Sequence, residues 1–127
     1  MSGTSIVLDT NVCLYLLKGD RQLAVMLEQR PLRISQITRM ELLSYSGITK
    51  DELKRVQVFL ESWPVEPIHS AIKDLAILIR RKHRIKLPDS IIAATACHLD
   101  VPLMTADHRL EKLVPEVQVI RYDPVGK

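Results

Sequence analysis

The sequence predicts an α/β sandwich built on a short, mainly parallel sheet. Three observations carry this expectation. Short strand-like runs (Ile6-Val7-Leu8, Leu32-Arg33-Ile34-Ser35, Leu103-Met104-Thr105 and Val117-Gln118-Val119-Ile120) alternate along the chain with helix-patterned segments, the order of an α/β domain. The first run is apolar at every position, as in a central strand with both faces covered. Finally, 127 residues, 46% of them hydrophobic, are enough for one self-supporting core, and no repeat, low-complexity stretch or linker divides them.

In chain order, Ile6-Val7-Leu8 runs into Asp9 at the carboxyl end of the first strand. Thr10 or Asn11 is predicted to cap a helix through Val12-Cys13-Leu14-Tyr15-Leu16-Leu17. Gly19 suits the end of that helix, Asp20 the start of a second one reaching Arg30, and Pro31 its stop. After the strand at Leu32–Ser35, Thr38-Arg39-Met40-Glu41 reads as a capping box opening a short helix. Gly47 breaks the chain before a second box, Thr49-Lys50-Asp51-Glu52, whose helix aligns Leu53, Val56, Leu60 and Trp63 in one stripe. Pro64 and Pro67 bracket a short extended piece at Val65.

A long helix is predicted from Ile68 to Arg81, with Ile68, Ile72, Leu75 and Ile79 as its core face. Ile77 and Leu78 widen that stripe, which fits either burial under a neighbouring helix or a second apolar partner. Leu87-Pro88-Asp89 opens an Ala-rich helix, Ser90 to His98, whose small residues suit close packing. Asp100 is a turn residue, and Asp107 follows the Leu103–Thr105 strand as the predicted cap of a last helix ending near Leu113.

Composition excludes several classes of function. No apolar run approaches the roughly 20 residues of a spanning helix, and Met1-Ser2-Gly3-Thr4-Ser5 lacks the pattern of a secretory signal; a cytoplasmic protein without membrane association is expected. Cys13 and Cys97 lie in predicted helices without CxxC spacing, so neither a zinc site nor a disulfide framework is indicated, and both read as small buried hydrophobes. The net charge of +3 is modest but uneven. Between His69 and Pro88, the six cations Lys73, Arg80, Arg81, Lys82, Arg84 and Lys86 face only Asp74, whereas the remainder holds 12 basic and 14 acidic residues. Such a cluster suits a polyanion, although cations also belong at a helix C-terminus.

Four carboxylates share an unusual placement. Asp9 and Asp107 follow strands, Asp89 opens a helix, and Glu41 lies in the first turn after a strand. In a parallel sheet these positions fall on one edge, where α/β folds place their ligands. Each acid alone is explained by helix capping. Together they are costly: two unit charges 4 Å apart repel by about 4 kcal/mol at an effective dielectric near 20. Such a cluster calls for protonation or a bound cation, and ligation by oxygen alone selects Mg²⁺ or Mn²⁺ over zinc.

The segments Ile6-Val7-Leu8-Asp9-Thr10-Asn11, Ser35-Gln36-Ile37-Thr38-Arg39-Met40-Glu41-Leu42, Leu87-Pro88-Asp89-Ser90-Ile91-Ile92-Ala93-Ala94-Thr95-Ala96 and Thr105-Ala106-Asp107 occur in that order. This set resembles the PIN-domain nucleases, most closely the VapC-type toxin ribonucleases of prokaryotic toxin–antitoxin pairs. The resemblance implies a single PIN-like three-layer α/β/α sandwich over residues 1–127. It also implies an Mg²⁺- or Mn²⁺-dependent endoribonuclease that hydrolyses RNA with metal-activated water, a cognate antitoxin and a homodimer. By the same resemblance Asp9 and Asp89 are the principal metal ligands, and Glu41 and Asp107 complete the site directly or through water. Asn11 and Thr105 then orient carboxylates or water. Leu110 stands where many members carry Phe, a difference of packing.

Beside a phosphate-cleaving site, Arg80, Arg81, Lys82, Arg84 and Lys86 become expected contacts to the RNA backbone, with Arg39 and Arg109 as further cations near the acids. His108 reads as an exposed histidine. The alternative is a PIN fold that grips RNA or a protein without cutting. A phosphotransfer receiver domain fits less well: it wants paired acids at the first strand and a lysine near the last, whereas Thr10 follows Asp9 and no strand-end lysine occurs.

Overall fold

Ile6, Val7 and Leu8 form the first strand, β1 (Ile6–Leu8), and all three are fully buried, as an uninterrupted apolar run inside a sheet requires. The computed structural model describes residues 4–124, so Met1-Ser2-Gly3 of the N-terminal stretch lies outside the described residues. β2 (Leu32–Ser35) and β4 (Leu103–Thr105) flank β1, with β3 (Val65–Glu66) and β5 (Val119–Arg121) at the edges, giving the order β3-β2-β1-β4-β5. Every pairing is parallel, with Ile6 opposite Leu32, Val7 opposite Leu103 and Leu8 opposite Met104.

The period of two along the strands divides the core into two layers. Val7 and Leu103 face one side, against α5 (Ser70–His83), α6 (Leu87–Leu99) and a 3-10 helix (His108–Leu113). Ile6, Leu8, Ile34 and Met104 face the other, against α1 (Thr10–Leu17), α2 (Arg21–Met26), α3 (Gln36–Ser44) and α4 (Lys50–Glu61). The result is the expected three-layer sandwich. Ala93, Ala94 and Ala96 are fully buried and let α6 lie close to its neighbours. The buried hydroxyls of that helix turn inward, Ser90 donating to Leu87 O at 2.7 Å and Thr95 to Ile91 O at 2.8 Å. Leu110 is 1% exposed in the same layer, so the departure at this position is indeed one of packing.

Several boundaries differ from the sequence reading for identifiable reasons. Asp9, rather than Thr10 or Asn11, caps α1 by accepting the Thr10 N–H. Gly19, at φ +89°, closes that helix through Gly19 N–H to Leu16 O and Asp20 N–H to Tyr15 O, the paired bonds of a left-handed helix end. Asp20 caps α2 as expected, but α2 ends at Met26 because the chain turns at Gln29, φ +64°. Ser35 caps α3 through the Ile37 N–H at 3.2 Å, so the helix starts early and the Thr38–Glu41 capping box does not form. The Thr49–Glu52 box does form, with bonds of 2.9 and 3.1 Å. The last helix is 3-10 rather than α.

On α5, Ile72, Ala76 and Ile79 are buried, whereas Ile77 and Leu78 are 53% and 61% exposed, so among the described residues no neighbouring helix covers them. Cys13 is fully buried as expected, but Cys97 is only half-buried; both are free thiols. Among the described residues no helix is long and apolar enough to cross a membrane.

Candidate active site

With all strands parallel, β1, β2 and β4 end on one edge of the sheet. Asp9 follows β1 directly and is 4% exposed. Its Oδ1 accepts the Thr10 N–H at 2.8 Å and its Oδ2 accepts the Thr105 hydroxyl at 2.7 Å from the end of β4. Burial pushes the Asp9 carboxyl up to about 6; the charges of Asp89 and Glu41 push the same way, while the bonds from Thr105 and Thr10 oppose them. An acid so buried, yet given two donors, is arranged to carry its charge at a cost.

Glu41 reaches the site from α3, where its Oε1 accepts the Thr10 hydroxyl at 2.6 Å. Asp89 sits in the first turn of α6, just after Pro88. Its carboxyl is raised by burial, then by Asp107 and Glu41, with Lys86 and Arg109 pulling it down. Asp9, Glu41 and Asp89 thus share one electrostatic field although they come from three separate elements.

Asp107 is held differently. It caps the 3-10 helix through the Arg109 N–H at 2.9 Å, and the Arg109 guanidinium forks onto both its oxygens, the shortest contact being 2.7 Å. That fork holds the Asp107 carboxyl below its usual range. Arg109 is therefore engaged by a site acid. Among the described residues, no three His, Cys, Asp or Glu side chains stand close enough to enclose an ion as placed. The donor chemistry nevertheless fits a hard divalent cation: the set is all carboxylate, and mutual repulsion adds to burial in raising Asp9 and Asp89.

Thr105 does more than touch Asp9, for its Oγ1 also accepts the Asp107 N–H at 3.0 Å. Asn11 lies on the same edge, but its Oδ1 accepts the Ala106 N–H at 3.2 Å and pins the loop after β4, and it bonds no carboxylate among the described residues. Sequence reasoning missed two residues here, Thr10 as a side-chain partner of Glu41 and Thr38 beside it, with Oγ atoms 3.1 Å apart. Thr38 and Glu41 sit three apart, one face of a helix; reading them as a capping box hid that geometry.

Arg80, Arg81, Lys82 and His83 form the last turn of α5, Arg84 ends it in a left-handed conformation, and Lys86 caps α6. Arg80, Arg81 and Arg84 line an open groove of about 370 Å³ with Ile85. Lys82 is engaged elsewhere, its Nζ 3.0 Å from Glu116 Oε2, which His83 Nε2 also approaches to 3.1 Å. That double contact holds the Glu116 carboxyl down at about 2. Arg39 lines a separate groove with Leu43, Gln57, Leu60 and Glu61. His108 is exposed, as expected.

The PIN domain model matches residues 6–114. The chain belongs to the PIN domain family. No curated protein matches the sequence, but solved structures resemble it closely. A chain of the toxin–antitoxin complex from Klebsiella pneumoniae superposes with a TM-score of 0.80 at 30% identity, covering 93% of this PIN domain chain and 98% of that one. A chain of VapBC2 from Rickettsia felis, bound to a DNA fragment from the promoter, gives 0.82 at 21% identity over 94% and 99% of the two chains. DNA-bound VapBC from Salmonella typhimurium gives 0.78 at 22% identity over 94% and 98%. The PIN-like architecture expected from the four segments is the one observed.

Proposed function

We propose that this PIN domain is the toxin of a toxin–antitoxin pair and a divalent-cation-dependent endoribonuclease. The observation that carries the reading is the meeting of Asp9, Glu41 and Asp89 at one sheet edge, with Asp9 buried, raised to about 6 and still supplied with two donors. Carboxylates assembled at such a cost are suited to a cation. Asp9 and Asp89 would be the principal ligands of Mg²⁺ or Mn²⁺, with Glu41 completing the set; Asp107 would join once Arg109 released it. A divalent cation held by these carboxylates would lower the pKa of a water and offset negative charge at the scissile phosphate. Thr105 keeps Asp9 aimed, and Asn11 holds the loop that carries Asp107.

The RNA backbone would run over Arg80, Arg81 and Arg84, with Lys86 between them and Asp89, whose charge it already feels. Lys82 belongs to this surface only if it leaves Glu116. The complexes formed by the similar chains from Klebsiella pneumoniae, Rickettsia felis and Salmonella typhimurium support a cognate antitoxin as partner. The exposed Ile77 and Leu78 are apolar surface available to a homodimer. The cytoplasm is the compartment that holds such a substrate and partner.

The test is RNA cleavage by purified protein with Mg²⁺ or Mn²⁺. Activity should vanish with chelator and in Asp9→Asn and Asp89→Asn; equal cutting in the presence of chelator overturns the reading. The hold of Arg109 on Asp107 favours a second reading, a PIN fold that grips RNA or protein without cutting. Undiminished RNA binding with no cleavage under any divalent cation would select it.

A further inference from the structure

One residue touches two of the site acids. The Thr10 N–H donates to Asp9 Oδ1 at 2.8 Å, and the Thr10 hydroxyl donates to Glu41 Oε1 at 2.6 Å, joining the end of β1 to the body of α3. Thr10 Oγ1 is also 3.1 Å from the Oγ1 of Thr38, a residue with no exposed surface. A hydroxyl has one proton and two lone pairs. With that proton given to the carboxylate, Thr10 accepts from Thr38, and the relay runs from Thr38 through Thr10 to Glu41.

We infer that Thr10 is a positioning residue of the acidic site: it holds the carboxylates of Asp9 and Glu41 in a common register, and Thr38 aims its hydroxyl. This rests on the divalent-cation reading above and deepens it. Glu41 hangs from a helix by three rotatable bonds, so a free carboxylate would sample many orientations. Tethering one oxygen to Thr10 narrows the orientations in which the other is presented. Thr105 does the corresponding work on the opposite side of Asp9, coupling it to the Asp107 backbone. The two threonines therefore bracket the buried acid, one toward α3 and one toward the 3-10 helix. Partners of this kind, one bond behind a ligand, change metal affinity by about 10- to 100-fold when removed.

The experiment is calorimetric titration of Mn²⁺ into the purified chain, with folding of every variant checked by thermal unfolding. Thr10→Val keeps the shape and removes the hydroxyl; it should weaken Mn²⁺ binding about 10-fold or more. Thr10→Ser restores the hydroxyl and should bind within about two-fold of wild type. Thr38→Val, which removes only the aiming group, should fall between them. In a Glu41→Ala background, Thr10→Val should change nothing further, because its effect passes through the missing carboxylate. Wild-type affinity in Thr10→Val, or an undiminished loss in the Glu41→Ala background, overturns this inference alone. Absence of Mn²⁺ binding by wild type overturns the divalent-cation reading beneath it.

Discussion

The Thr105 hydroxyl, at the end of β4, donates to Asp9 Oδ2 at 2.7 Å, just past the end of the adjacent strand β1 and 96 positions away in the chain. Both are buried, and the register that sets Leu8 opposite Met104 brings the residues that follow these two within reach of each other. The bond stabilises the ionised carboxyl, so it opposes the burial that pushes Asp9 up. The strand pairing at the centre of the fold and the chemistry at its edge thus depend on the same pair.

Removing that hydroxyl should cost more when Asp9 is charged than when it is neutral. Thr105→Val leaves Asp9 Oδ2 without its donor and the Asp107 N–H without its acceptor. Loss of one partner of a buried polar pair costs about 1–3 kcal/mol. Urea unfolding at pH 7.5 should register a loss of that size, and a smaller one at pH 4.5, where Asp9 carries a proton. Thr105→Ser should recover most of it. A loss independent of pH would mean that the hydroxyl does not serve the charge.

Asp9 also makes stability fall with rising pH. Its carboxyl is raised from 3.8 to about 6, so the folded chain keeps a proton that the unfolded chain has released. Wherever the folded state binds more protons, stability decreases as pH rises. The penalty therefore grows between about pH 4 and pH 6 and is fully present above, at about 3 kcal/mol on the scale of 1.36 kcal/mol per pKa unit. Asp9→Asn removes the charge and keeps the shape, and Asn still caps a helix. It should be more stable than wild type at pH 7.5 by up to that amount, with the gap closing near pH 4. Mn²⁺ should raise the Tm of wild type at pH 7.5 far more than that of Asp9→Asn. An Asp9→Asn variant no more stable than wild type at pH 7.5 would show that this burial carries no charge penalty.

The division between what was legible in the sequence and what was not follows the range of the forces involved. The alternation of strands and helices, and the convergence of four acids on one edge, come from local periodicity and sheet geometry, and both could be read from residue order. The capping box at Thr49 was legible because its two bonds lie within four residues. The same pattern at Thr38 misled, because Ser35 offered an earlier cap and Glu41 found a partner 31 residues away in Thr10. Lys82 was similarly ambiguous: its place in a basic run predicts a polyanion, whereas Glu116, on a distant loop, claims it. Exposure of Ile77 and Leu78 was undecidable from their spacing, which is the same whether a helix or a second chain covers them.

Arg84 offers a separation of stability from binding. It ends α5 at φ 54°, donating its N–H to Arg80 O at 2.8 Å, in the left-handed conformation that glycine adopts without steric cost. A side chain there costs about 1 kcal/mol. Arg84 lines a groove with Arg80 and Arg81, the surface proposed above for the RNA backbone. Arg84→Gly should raise the unfolding free energy by about 1 kcal/mol while weakening RNA binding and lowering the salt slope by about one charge. Asp100 is the control: it ends α6 at φ 55°, at the opposite end of that helix from Asp89. Asp100→Gly should stabilise similarly and leave RNA binding and its salt slope unchanged. If Arg84→Gly binds RNA as wild type does, with the same salt dependence, the left-handed arginine is only a helix terminus.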